Sequence, residues 1–368
     1  MNAMNRKLTP SISRVLGRAV AVTLGLSAVA VGWHQIGWVT PEGVAHAQYP
    51  SGSGGSGGSG GDMPSGFDPE AMAEGPDAPL SCAPIPPGGF AGVTNDRFYF
   101  LSEVGGCENL PCFLASVPGT VHANATLVID ELCVLDGPIR IPSRFTLAGV
   151  GPGGEGMLVF QDLPDNMPAI SVEEAVGVGG ISEIVIRDLG IFGDDNGAWS
   201  AGINVSGANL ITLDRVRVSG FSVGLFGQDA YSVRVSDSTF YANAFNVMIY
   251  NNANHWRVRD SALSLATFYS VKVFGPSDGV RPGNNDHLFS GNRFEGSLMG
   301  AMMLGSVGTM LMNNRFESNG LNGVRILPSA SDTRVVGNLF STDTVHDSSA
   351  STKCGFNIGL PTGDCPGD

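Results

Sequence analysis

Apolar and polar residues along this 368-residue chain alternate in short runs with a period of two. The runs are bounded by Gly, Pro, Asp or Asn, and no stretch of helical length carries a 3.6-residue apolar stripe, so the pattern predicts strands. Leu127–Ile129, Ile139–Ile141, Phe145–Leu147, Met157–Phe160 and Ala169–Val172 come first. From Ile184 to Ser341 the pattern turns periodic. Its anchors Ile191, Val218, Phe240, Leu263, Phe294, Phe316 and Phe340 follow at intervals of 27, 22, 23, 31, 22 and 24 residues. A period that tolerates insertions marks a solenoid, because each unit buries its apolar face only against its neighbours.

Two strand-like runs are visible in each repeat. In the second, Val247-Met-Ile249, Val271-Lys-Val273, Met302-Met-Leu304 and Val324-Arg-Ile326 align. Their outer members should face inward and the middle ones outward. Rungs stacked about 4.8 Å apart build long parallel sheets. An antiparallel barrel would instead show hairpin turns between paired strands, whereas here the whole unit recurs.

The repeats Gly291-Asn-Arg-Phe294, Asn313-Asn-Arg-Phe316 and Gly337-Asn-Leu-Phe340, with Ile139-Arg-Ile-Pro-Ser-Arg-Phe-Thr-Leu-Ala-Gly-Val-Gly151, carry a family resemblance. Over about residues 126–341 they resemble the right-handed parallel β-helix proteins of the pectate-lyase-like superfamily. The resemblance implies an all-β, right-handed parallel β-helix (solenoid) of about nine to ten rungs. It leaves activity open, since that superfamily holds lyases, hydrolases, epimerases, tailspikes and non-enzymes. Arg281-Pro282 is similar to part of the Arg-x-Pro-x-x-Arg element of pectate lyases, but no second arginine follows at the required place. The Gly-His-Gly and Arg-Ile-Lys elements of polygalacturonase-like hydrolases and the Asp-Pro-His element of mannuronan epimerases are absent.

The ends read differently from the middle. Residues 1–47 have the form of an export signal, with Arg6, Lys7, Arg14 and Arg18, an apolar stretch from Ala19 to Gly32, and Ala45-His-Ala47 as a cleavage site. The rival is an uncleaved anchor, since Ala19–Val39 could just span a bilayer. No later segment could, so a secreted or cell-envelope location is expected. Residues 48–81 are rich in Gly, Ser, Pro and acid, a composition for a disordered linker. Residues 82–125 should cap the solenoid, 126–345 form it, and 346–368 close it as a cap or tail. Cys82, Cys107, Cys112, Cys133, Cys354 and Cys365 lie at the two ends, which suggests disulfide-stapled termini. Cys107–Cys112 and Cys354–Cys365 are the sequence-local pairs, with Cys82–Cys133 left over, among the 15 pairings that six cysteines allow.

Charge narrows the partners. The chain has a formal net charge of −14, and losing residues 1–47 with four basic residues and one acid makes it −17. With three lysines in all, no basic stripe is available to follow a phosphate backbone, so nucleic acid is not an expected partner. Asn292, Asn314 and Asn338 share one column, which reads as a structural amide ladder. Arg217, Arg293 and Arg315 read, with nearby Glu295 and Glu317, as a solvated face of weak ion pairs.

Candidate chemistry lies where the repeat breaks. Lys272 is the only lysine within the repeats and falls in the outward column of Arg325, with Met303 between them. A polyuronate lyase must neutralise a carboxylate and remove the adjacent proton, and a lysine or arginine can do each. Lys272 and Arg325 are therefore the candidate catalytic pair. Tyr250, Phe274, Trp199 and Arg281 are candidate substrate contacts, Arg281 lying in the 275–287 insertion. Asp194 and Asp195 open a second insertion and could hold Ca²⁺ or, in a hydrolase, donate a proton; their sequence is also a good turn. No cofactor beyond Ca²⁺ is suggested. The expected function is interaction with an extracellular polysaccharide, with β-elimination of an acidic glycan as the reaction. The alternatives are a non-catalytic envelope or adhesive protein and a glycoside hydrolase using Asp194 or Asp195. The sequence does not fix the oligomeric state.

Overall fold

In the computed structural model, residues 66–74, 98–117, 125–151, 156–172, 182–194, 198–275, 284–349 and 351–360 are described. They form a right-handed parallel β-helix with three long parallel sheets. The first sheet has eleven strands, the second and third nine each. One rung runs through all three: Tyr231–Ser236, then Thr239–Tyr241, then Phe245–Tyr250, before the chain re-enters the first sheet at Arg257–Arg259. Each turn thus holds three strands, where the sequence pattern suggests two. The strand it conceals is that of the first sheet, which from Arg257 onward is short and contributes one inward apolar residue per rung, as Val258, Phe289 and Leu311 do.

The anchors lie where their spacing puts them. Ile191, Val218, Phe240, Leu263, Phe294, Phe316 and Phe340 pair in unbroken register along the second sheet. They are essentially fully buried, and the rings of Phe294, Phe316 and Phe340 stack at centroid distances of 5.0 and 4.7 Å. Such offset stacking adds specific attraction to the burial of apolar area.

The turn between the first and second sheets explains the Asn-x-Phe motif. Its leading position has positive φ in rung after rung: Asp237 (49°), Asp260 (50°), Gly291 (68°), Asn313 (55°) and Gly337 (68°). Gly, Asn and Asp tolerate that left-handed conformation best. The next residue turns inward. The backbone N–H of Asn292 donates to Asn314 Oδ1 (3.0 Å) and that of Asn314 to Asn338 Oδ1 (2.9 Å). Their Nδ2 groups donate to buried carbonyls of Val258, Phe289 and Leu311. The amide column is structural, as its composition suggests. On the outside of the second sheet Arg293 and Arg315 pair with Glu295 and Glu317 at 2.7 and 2.8 Å.

At the N-terminal end the strand Phe98–Phe100 joins the first sheet. Helix α1 (Pro69–Glu74) and helix α2 (Leu110–Ser116) follow different courses. Helix α2 buries Leu110, Phe113 and Leu114 and packs against the strand Ile139–Ile141. Helix α1 corrects the expectation of a disordered linker over the whole of 48–81, because Phe67 and Met72 are buried against the solenoid; the rest of that span and the export signal lie outside the described residues. Cysteine pairing is corrected too. Cys107 is bonded to Cys133, with Cα atoms 5.3 Å apart, so neither the Cys107–Cys112 nor the Cys82–Cys133 pair exists. Helix α2 carries Cys112 away from Cys107, whereas Cys133 on the first rung lies beneath it. Cys112 and Cys354 are disulfide-bonded as well, and Cys82 and Cys365 lie outside the described residues.

Candidate functional site

The outward positions of the third sheet form one continuous column. In register it runs Arg140, Ser171, Asn204, Phe226, Met248, Lys272, Met303, Arg325 and His346. The expected alignment of Lys272 with Arg325 across Met303 is thus found. The expected exposure of Lys272 is not: only 3% of it is accessible.

The column divides by accessibility. From Ser171 to Met303 every member is buried, and Arg140, Arg325 and His346 at its ends are exposed. Part of the cover comes from the N-terminal segment. Phe67 packs edge-on against Trp199 and Phe226 at 5.4 and 6.0 Å. Asn204 Nδ2 donates to the Met72 carbonyl (2.8 Å), and the Asp68 N–H donates to Asn166 Oδ1 (3.2 Å). The Asp68 carboxylate in turn accepts from the N–H groups of Glu70 and Ala71, capping helix α1.

Lys272 sits under aromatic cover. Its Nζ is 4.7 Å from the Phe274 ring centre and 5.7 Å from that of Phe245, and Phe274 packs on Tyr250 at 4.8 Å. These are cation–π distances. Tyr250, Phe274 and Lys272 therefore come together as the sequence suggests, but as a packed cluster and not an open sugar platform. Farther along, Arg325 is exposed and makes no ion pair among the described residues. One rung on is His346, whose Nε2 lies 3.5 Å from Ser348 Oγ. An imidazole is the side chain best suited to take up a proton near neutral pH. His346 is the member that sequence reasoning missed. Aligning Val345-His-Asp347 beneath Val324-Arg-Ile326 would have placed it.

Trp199 and Asp194 do not join this site. Trp199 is buried under Phe67. Asp194 ends a strand of the second sheet, beside Gln161, on a different face from Arg325. Asp195 and Arg281 lie outside the described residues.

One further polar group lies inside the solenoid. His287 is 1% exposed, in register between Trp256 and Thr309, and neither ring nitrogen has a hydrogen-bond partner among the described residues. Burial is the main cause that pushes its pKa down to about 3, with Arg257 and His255 adding to the effect and Asp286 opposing it. It is therefore a neutral core residue, remote from the outer column.

Residues 180–358 match the family model described as periplasmic copper-binding protein (NosD). No curated protein sequence matches the chain. Among solved structures the chain is similar to ORF18 of Geobacillus virus E2, at 14% identity and a TM-score of 0.52, over 64% of this chain and 52% of that one. The chain thus spans about half the length of that viral protein. It is also similar to pectate lyase Pel9A, at 10% identity and a TM-score of 0.52, over 75% of this chain and 80% of that one. At such identities the likeness is one of fold. Among the described residues no three His, Cys, Asp or Glu side chains gather to hold a metal ion, and Cys107, Cys112, Cys133 and Cys354 are disulfide-bonded. No helix among these residues is long and apolar enough to cross a membrane.

Proposed function

We propose, for a chain with the right-handed parallel β-helix fold, that it is an extracytoplasmic protein that engages an acidic polysaccharide. The engaging surface is the open C-terminal end of the third sheet's outer face. The observation that carries this reading is the break in the outward column. Five rungs from Asn204 to Met303 are sealed, and then Arg325 and His346 emerge on adjacent strands. Arg325, with no acid paired to it among the described residues, is free to meet a sugar carboxylate, and a guanidinium does so with two parallel hydrogen bonds. His346, on the neighbouring strand about 4.8 Å away, suits removal of the proton beside that carboxylate. Together they suit β-elimination: the proton passes to the imidazole, a C=C bond forms, and the glycosidic C–O bond breaks with its electrons leaving on oxygen.

Lys272 belongs to this reading as a positioning residue. Buried against Phe245 and Phe274, it sets the shape and charge of the wall beside Met303. Incubating the full chain with pectate, alginate and other polyuronates, while following ultraviolet absorbance from unsaturated ends, tests the reaction. A rise that Arg325→Gln and His346→Gln abolish supports it. Binding without any absorbance change supports the second reading, a non-catalytic envelope protein, which the sealed majority of the column favours. Absence of both, or binding indifferent to Arg325→Gln and His346→Gln, overturns the site.

A further inference from the structure

The outer face of the first sheet carries a second cationic array, independent of Arg325 and His346. Arg234 and Arg257 are directly opposed on adjacent strands. The same column continues through Leu288 and Met310 to Arg334 and Lys353, which are again directly opposed. Beside it, Arg259 stands between Ser236 and Ser290. Strand alternation fixes the direction of these side chains, since Val233 and Val235 are buried and Arg234 between them is exposed. Arg259, Arg334 and Lys353 are exposed too, and Arg257 is half-buried.

Like charges on neighbouring strands about 4.8 Å apart repel one another, and sheets ordinarily place acids between them. This chain has 34 acidic residues to 20 basic ones, so acids are not scarce, yet the array is barely neutralised. Asp286 binds Arg257 through its carboxylate (3.1 Å) and its carbonyl (2.5 Å), and also meets His255 at 3.3 Å. Asp214 and Asp188 are engaged by Arg215. Arg234, Arg259, Arg334 and Lys353 make no ion pair among the described residues. The second sheet offers the contrast, because its stacked arginines are each matched by a glutamate. An anion from outside would relieve the repulsion in such a column.

We propose that this face binds a linear acidic polysaccharide lying along the solenoid axis. The array is narrow and follows the axis, with two cation pairs separated by three rung steps, about 14 Å. Such spacing fits an extended chain with charges at intervals. The half-buried Leu288 and Met310 between the pairs give the apolar face of a sugar ring something to rest on.

Titration calorimetry of the full chain with size-matched polygalacturonate and dextran oligosaccharides, and with an oligothymidylate, tests this. The acidic glycan should bind, weaken as salt is raised, and lose tenfold or more in affinity in Arg234→Gln/Arg259→Gln and in Arg334→Gln/Lys353→Gln. Dextran should not bind. Circular dichroism melts check that the variants remain folded; these exposed side chains contribute little to the core. Loss of binding only in Arg325→Gln/His346→Gln would overturn this proposal while leaving the earlier site intact. Binding of the oligothymidylate in place of the glycan, lost in the same first-sheet variants, would overturn the choice of ligand. No binding by any acidic glycan would overturn the array as a glycan site.

Discussion

The inside and the outside of these strands hold polar groups in opposite ways. Inside, Asn292, Asn314 and Asn338 find partners in the rung above, the rung below and the buried carbonyls beside them. Outside, arginines stack with little compensation on the first sheet, and on the third an alkaline side chain is sealed beneath aromatic rings before the column opens at Arg325. Polarity that is satisfied from rung to rung is architecture. Polarity that the solenoid leaves unmatched is where another molecule can contribute. His287 is an exception that crosses this division, as is Thr333, since each is inside and its side-chain polar atoms have no hydrogen-bond partner among the described residues.

His287 offers the largest test. The unfolded chain's histidine titrates near 6.5 and the folded one at about 3. Between those values the unfolded state holds a proton that the folded state refuses, so this contribution is intact above pH 6.5 and is lost as pH falls. The slope approaches about 1.4 kcal/mol for each pH unit. Urea denaturation at a series of pH values should show His287→Leu to be less acid-sensitive than the wild type by this amount. Parallel curves would mean that His287 is protonated in the fold.

Next is the ladder. Asn314→Ala removes the acceptor for the Asn292 N–H and the donor to Phe289, leaving buried backbone groups unpaired. The expected cost is about 2–4 kcal/mol in denaturant unfolding, and Arg325→Gln, on the outside, should fall within about 0.5 kcal/mol of the wild type. Equal costs would erase the inside–outside distinction. The smallest effect separates the two cationic faces. Lys272→Ala should lose about 1–3 kcal/mol through packing and cation–π contact, whereas Arg234→Ala should lose almost none. A neutral Lys272→Ala would mean that the aromatic cover contributes nothing to the fold.

The sequence makes some of this visible and hides the rest for physical reasons. Phe294, Phe316 and Phe340 are legible because an inward residue must be apolar at every rung. The outward column of Val271-Lys-Val273 is legible because strand alternation is strict. The first-sheet strands are obscure because Arg257–Arg259 or Leu288–Ser290 turn one apolar residue apiece inward, too few to read as a pattern. Accessibility is hidden as well. Lys272 is covered by Phe245 from another rung, and Trp199 by Phe67, more than a hundred positions away. The Cys107–Cys133 bond depends on where helix α2 docks, which local spacing does not encode. The cationic first-sheet array escapes notice because its members are scattered among polar residues until the rungs are aligned.

The strand Lys353–Gly355 ends the first sheet and, among the described residues, pairs with a single strand, Arg334–Val336. A terminal strand is where a further strand from another molecule would add, and repetition of that step turns a solenoid into a fibre. Any strand arriving there must lie against a lysine that is already stacked on an arginine. The same pair that readies this face for an anion also makes growth at the end of the sheet unfavourable, so the array that repeats itself so regularly has a built-in reason to stop.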